Sequence, residues 1–187
     1  GGRSDELVAW GSWLVATSYK PQATSMTTAF ISHSDCGRHD TGWGHPEHVG
    51  RLRAVPKALR EDAELMGALL HHEARHATRD EIALAHDRGY IESVHALVQK
   101  GGGRLDADTV ASEGSWDAAT ACVGAGLDAI GMAIEGRALR SFCAVRPPGH
   151  HALRDRAMGF CLFGSVALGP PYARARPGLV RVLILDW

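Results

Sequence analysis

The short, mostly apolar run Ser141-Phe142-Cys143-Ala144-Val145, followed by Arg146-Pro147-Pro148-Gly149-His150-His151, constrains this chain more than any other stretch. The apolar run reads as a buried strand. The two prolines fix φ and remove two amide donors, so the strand must stop there. Gly149 opens backbone conformations that other residues avoid. On a regular strand, adjacent histidines would point to opposite faces. A Pro-Pro-Gly turn can aim both into one pocket instead. Paired imidazoles at the carboxyl end of a strand suit general acid/base work near neutral pH. A bare His-His pair fits a solvated loop as readily; behind Arg-Pro-Pro-Gly the functional reading is favoured.

The surrounding pattern places this turn in an α/β fold. Residues 29–33 read as a first strand, and 34–48 as a Gly-, His- and Asp-rich loop too polar to be core. Residues 50–66 carry Leu52, Val55, Leu59 and Leu65 near helical spacing, with Pro56 expected to kink or delay the helix. Thr78-Arg79-Asp80-Glu81 is a capping box, and Asp87 is placed to cap a helix ended by Gly101-Gly102-Gly103. Residues 115–135 form the clearest helix, with Trp116, Ala119, Val123, Leu127, Ile130 and Ile134 on one stripe. A helix near 164–175 and a strand over 180–186 complete a βαβ unit, although Gly169-Pro170-Pro171 threatens to split that helix. Strands alternating with helices argue for a parallel sheet. Ligands in such sheets bind beyond the carboxyl ends of the strands. His150 and His151 leave one strand at that end, and Asp186 closes another.

Composition excludes little. The 187 residues are 45% hydrophobic with a net charge of −1, as in an ordinary soluble globular protein, and no charge excess points to nucleic acid or an anionic membrane. Cys36, Cys122, Cys143 and Cys161 lack paired spacing and read as reduced thiols of a cytoplasmic protein. Residues 1–25 read as an extension outside the fold, because the segment from Met26 looks like a natural start running into the first strand. His72-Glu73-Ala74-Arg75-His76 matches H-E-x-x-H. On a helix, that motif would bind zinc through His72 and His76 with Glu73 as base, a metallopeptidase arrangement. Thr78 caps a helix that begins after the motif, which places the motif in a strand-to-helix connection instead.

The segments discussed above, with several others, occur in an order that resembles the histone deacetylase and acetylpolyamine amidohydrolase family. His39-Asp40-Thr41-Gly42-Trp43-Gly44-His45-Pro46-Glu47 with Arg51-Leu52-Arg53-Ala54-Val55, then His86-Asp87 before Tyr90-Ile91, look like its N-terminal region. Asp108-Thr109, Gly114-Ser115-Trp116, Arg146 to His151, Gly159-Phe160-Cys161-Leu162-Phe163 and Val182-Leu183-Ile184-Leu185-Asp186-Trp187 continue the match. The likeness is to the bacterial, class II-like branch. It implies a three-layer α/β fold of the arginase/deacetylase kind, a parallel sheet with helices on both faces, truncated here so that residues 26–187 are the N-terminal half of a catalytic domain.

The resemblance implies a zinc-dependent amidohydrolase acting on an acetylated lysine peptide or an acetylpolyamine. His150 would be held by Asp186, and His151 would be the general base toward a metal-bound water. Gly159 and Phe160 would wall the acyl tunnel, and Asp108 would accept hydrogen bonds from substrate at the rim. Arg51 would line an inner channel or pair with a carboxylate, the second being preferred. The zinc ligands are expected after Trp187, so none is assigned among these residues and the fragment is expected to be inactive by itself. The alternatives are a non-catalytic truncated or pseudo-enzyme fragment and, more remotely, the H-E-x-x-H peptidase. Neither nucleic acid nor membrane is expected as a partner; a homo-oligomer is compatible with the sequence.

Overall fold

The computed structural model describes residues 6–10, 13–17, 27–177, 179 and 181–186, with side chains from 27 to 185. In chain order the elements are β1 (Glu6–Trp10), β2 (Trp13–Thr17), β3 (Thr28–Ser32), a 3-10 turn (Ser34–Arg38), α1 (Gly50–Arg60), α2 (Ala63–Ala68) and β4 (Leu69–Glu73). Then come α3 (Arg79–Ile82), α4 (Arg88–Gln99), β5 (Gly102–Arg104), β6 (Val110–Ser112), α5 (Ser115–Ile134), β7 (Arg140–Ala144), α6 (Ser165–Arg174) and β8 (Val182–Asp186).

The core sheet is parallel, in the order β4-β3-β7, with Ile31 opposite His72 on one side and Cys143 on the other. β1, β2 and β8 form a separate antiparallel group. Parallel strands need crossover connections, and here helices supply them. One face of the sheet, through Ala29, Ile31 and Cys143, packs on Ala125, Ala129, Met132 and Ala133 of α5. On the other face Phe30 stacks on Phe142 with ring centroids 6.0 Å apart, and Leu52 and Val55 of α1 border the same cavity as Phe142.

α5 is buried almost all round rather than along one stripe, because it is enclosed by the sheet, by α6 and by the segment after β4. Small residues make that possible. A Cβ on Gly124 would lie 1.8 Å from the Arg75 carbonyl oxygen, and the neighbouring Ala77 amide donates to the Thr120 carbonyl at 2.9 Å. The capping box forms as the sequence implies: the Thr78 hydroxyl accepts from the Glu81 amide, and the Glu81 carboxylate accepts from the Thr78 amide. Asp87 precedes α4, but its carboxylate accepts from Arg154 Nε at 2.6 Å instead of capping the helix. The helix beginning at Gly50 runs through Pro56 and breaks at Asp62, which caps α2 through the Leu65 amide. α6 is continuous through Pro170 and Pro171. Each costs about 3 kcal/mol in a helix interior, and complete burial of Leu168 together with nearly complete burial of Val166, at about 1.5–3 kcal/mol each, offsets much of it.

Candidate active site

The end of β7 is fastened by an ion pair. Arg146 is 2% exposed and Glu47 is 2% exposed. Arg146 Nε and Nη2 donate to the two Glu47 carboxylate oxygens at 3.0 and 2.7 Å, a bidentate contact. Its remaining donors reach the carbonyls of Glu47 at 3.0 Å, of Cys36 at 3.3 Å and of His39. The loop over 34–48 is therefore core where it meets this arginine, contrary to its polar composition; Cys36, His39 and Glu47 are all buried. Arg51 Nη1 lies 3.7 Å from Glu47 Oε1, so the carboxylate partner expected for Arg51 is Glu47.

His39 is part of the same buried layer. Its Nδ1 shares a 2.7 Å hydrogen bond with the Ser115 hydroxyl. Burial, and then the Arg146 charge, push its pKa down to about 3, so the ring is neutral at physiological pH. Its 3.8 Å approach to Glu47 is accordingly not an ion pair.

Beyond Arg146, whose peptide bond to Pro147 is cis, the turn carries the two imidazoles into a cleft. Gly149 lies so close to α6 that a Cβ there would be 1.7 Å from the Ser165 hydroxyl oxygen. The Gly149 carbonyl accepts from the Val166 amide at 3.0 Å, which pins the turn to the first turn of α6. The rings of His150 and His151 then stand 4.0 Å apart, tilted by 51°. Gly159 has φ +57°, and a Cβ on it would lie 2.6 Å from the His151 ring. Phe160 follows with φ 68°, a conformation most side chains avoid. Its amide donates to the Thr109 hydroxyl at 3.0 Å, and its ring meets His45 edge-on at 4.8 Å. His45 Nε2 is in turn 3.3 Å from the Asp108 carbonyl.

These contacts enclose a cleft of about 510 Å³ bordered by Arg51, Asp108, His150, His151, Gly159 and Phe160. Five of the six site residues expected from sequence thus come together. The sixth, Asp186, ends β8, and its side chain lies outside the described residues. Glu47, His45, Thr109 and Ser165 had no role assigned from sequence; each acts through a contact 16 or more residues away in the chain, and for Glu47 only its place beside His45-Pro46 signalled importance. The H-E-x-x-H motif is not a zincin site. His72 and Glu73 lie in β4 rather than on a helix, His72 Nε2 bonds Asp128 at 3.0 Å, and His76 Nε2 turns to Asp35 at 3.2 Å.

The histone deacetylase domain matches residues 45–187, from the Glu47 loop through the His150–His151 turn to the end of β8. The chain belongs to the histone deacetylase family. It is 35% identical over 144 residues to a histone deacetylase-like amidohydrolase of Pseudomonas aeruginosa, covering 77% of this chain and 38% of that protein. It is 32% identical over 176 residues to the polyamine deacetylase HDAC10 of Homo sapiens, covering 87% of this chain and 26% of that one. The solved HD domain of HDA15 superposes with a TM-score of 0.76 at 32% identity, covering 80% of this chain and 43% of that structure, which gives the arginase/deacetylase fold. The chain spans less than half the length of each of these relatives.

Proposed function

We propose that this cleft belongs to a zinc-dependent amidohydrolase that removes acetyl groups from acetyl-lysine or from an acetylpolyamine. The observation that carries the reading is the pair of imidazoles at the carboxyl end of β7, held in a cleft whose wall, Gly159-Phe160, is built against His151. His151 accepts a proton from the hydrolytic water as it attacks the acetyl carbonyl and returns it to the departing amine. His150, whose ring stands 4.0 Å from that of His151, is the positioning partner. The Phe160 face packs on the methylenes of the lysine or polyamine. Asp108 at the rim accepts an N–H from the substrate.

Zinc would supply an activated water and a polarised carbonyl in such a reaction. Among the described residues, no group of three His, Cys, Asp or Glu side chains converges in the cleft, and Glu47 is committed to Arg146. The described residues do not by themselves make a zinc seat there. The test is acetate release by the longest natural chain that carries these residues, from an acetyl-lysine peptide and from an acetylpolyamine. Turnover of one or both supports the reading. No acetate from either, with metal supplied, refutes it.

A further inference from the structure

A second histidine–carboxylate cluster stands apart from the cleft, at the carboxyl ends of β3 and β4. His33 follows β3, Asp35 begins the 3-10 turn, and His76 follows β4. One nitrogen of each ring and one carboxylate oxygen of Asp35 all lie within 4.8 Å of one another. The rings of His33 and His76 meet edge-on at 4.7 Å. We propose that His33, Asp35 and His76 form a binding site for a divalent cation of the zinc class, independent of the His150–His151 cleft.

The hydrogen bonds around the cluster make the case. The Thr120 hydroxyl has one proton, and it is directed to the helix carbonyls of Trp116 and Asp117 at 3.0 and 3.1 Å. Its lone pair therefore accepts from His76 Nδ1 at 2.8 Å, which puts the proton of the neutral ring on Nδ1. The bare Nε2 lone pair then faces Asp35 Oδ2 at 3.2 Å. Two acceptors facing each other at that distance need a positive centre between them, which a second ring proton or a bound cation would supply. The other carboxylate oxygen, Oδ1, is taken by Arg38 at 3.2 Å, so Oδ2 is the oxygen left for an ion. His33 Nδ1 lies 3.7 Å from the same oxygen. Metal–ligand bonds of 2.0–2.1 Å in a tetrahedron place ligand atoms about 3.3 Å apart, so both separations are close to a coordination edge. Coordination takes His33 Nδ1 out of its 3.0 Å bond with the Asp35 amide.

Charge and access agree. Asp35 and Glu73 stand at the cluster, Arg38 bridges Asp35 to Asp117, and Arg75 turns its guanidinium to the His76 carbonyl at 3.3 Å and to Glu81 and Asp128 rather than to the ring. Glu73 Oε1 is 4.0 Å from His33 Nε2, and its side chain is 73% exposed, free to swing in as a fourth ligand or to hold a metal-bound water. A cavity of about 260 Å³ bordered by Ser32, His33, His72 and Glu73 opens beside it. Two imidazoles and a carboxylate select a borderline cation over calcium or magnesium, which take all-oxygen sets. His76 and Glu73 of the H-E-x-x-H motif thus serve a site, but with His33 and Asp35 rather than with His72.

The probe is Zn²⁺ alone, titrated calorimetrically into the metal-stripped longest natural chain. The account expects one equivalent, beyond that taken up by the catalytic site, that His76→Ala, His33→Ala and Asp35→Asn each weaken at least tenfold, with deacetylase turnover retained in all three. In the wild-type chain, zinc should move the imidazole nitrogen NMR signals of His33 and His76, a readout that needs no variant to fold. Zinc uptake indifferent to all three substitutions, or none that perturbs these two rings, overturns the site and leaves the cluster an ion pair of His76 and Asp35. Because turnover is read separately, loss of deacetylation with this zinc site intact would count against the cleft reading alone.

Discussion

Replacing Arg146 by Met should unfasten the site and cost the fold heavily. The side chain donates to both oxygens of the Glu47 carboxylate and to three backbone carbonyls, all in a buried layer. Methionine fills much of the volume and satisfies none of these acceptors. Glu47, 2% exposed, is left as an unpaired charge away from water. Breaking a buried pair from one side costs about 3–5 kcal/mol. With a urea dependence of about 2 kcal/mol per M, the unfolding midpoint should fall by roughly 2 M. Arg146→Met combined with Glu47→Leu removes the stranded charge, and it should recover part of that loss, leaving the orphaned carbonyls of Cys36, His39 and Glu47 as the remainder. The assay is urea unfolding of the longest natural chain carrying these residues, followed by tryptophan fluorescence. A single-variant cost below about 1 kcal/mol, or a double variant costing the sum of the two singles, would refute the argument, since coupled partners must be non-additive.

Other outcomes follow from the same geometry. His39, with its folded pKa near 3 against an ordinary value of 6.5, takes up a proton only on unfolding, so its stabilisation is complete above pH 6.5 and is lost as pH falls toward 3. The slope is about 1.4 kcal/mol per pH unit across that window, and His39→Gln should flatten it in urea melts taken from pH 7 to 4. Gly159→Ala, at φ +57° and 2.6 Å from the His151 ring, should lose at least about 1 kcal/mol of stability, with turnover reduced; normal turnover would show that this wall does not position His151. The 187-residue chain by itself should associate, because Phe142, Leu183 and Leu185 are 40%, 51% and 42% exposed on strands. A clean monomer by size-exclusion chromatography with a sharp two-state melt would contradict that.

Local signals in the sequence gave accurate local structure. The capping box at Thr78 and the strand stopped before Pro147 both rest on residues close together in the chain. What was illegible rests on contacts across the chain. Loop 34–48 reads as solvated because nothing nearby reveals that Arg146, 99 residues beyond Glu47, neutralises it. The single stripe drawn on α5 missed its other faces, because alanines and glycines carry little hydrophobic signal yet are what let the Arg75 backbone approach Gly124. Pro170 and Pro171 argue for a split helix by propensity, yet the helix is continuous, and burial of Val166 and Leu168 offsets much of their cost. The gathering of His150, His151, Gly159, Phe160 and Asp108 was legible only through the family resemblance. The zincin spacing of His72 and His76 was real in sequence and empty in space, since a strand turns them to different partners.

The central claim is that the His150–His151 pair runs the chemistry, with His151 as the base. It is tested most directly by kcat/KM on an acetyl-lysine peptide for His151→Ala and His150→Ala in the longest natural chain that carries them. Loss of general-base catalysis predicts a fall of about 10²–10⁴-fold for His151→Ala and a smaller one for His150→Ala. Near-wild-type kcat/KM in both variants would contradict the account.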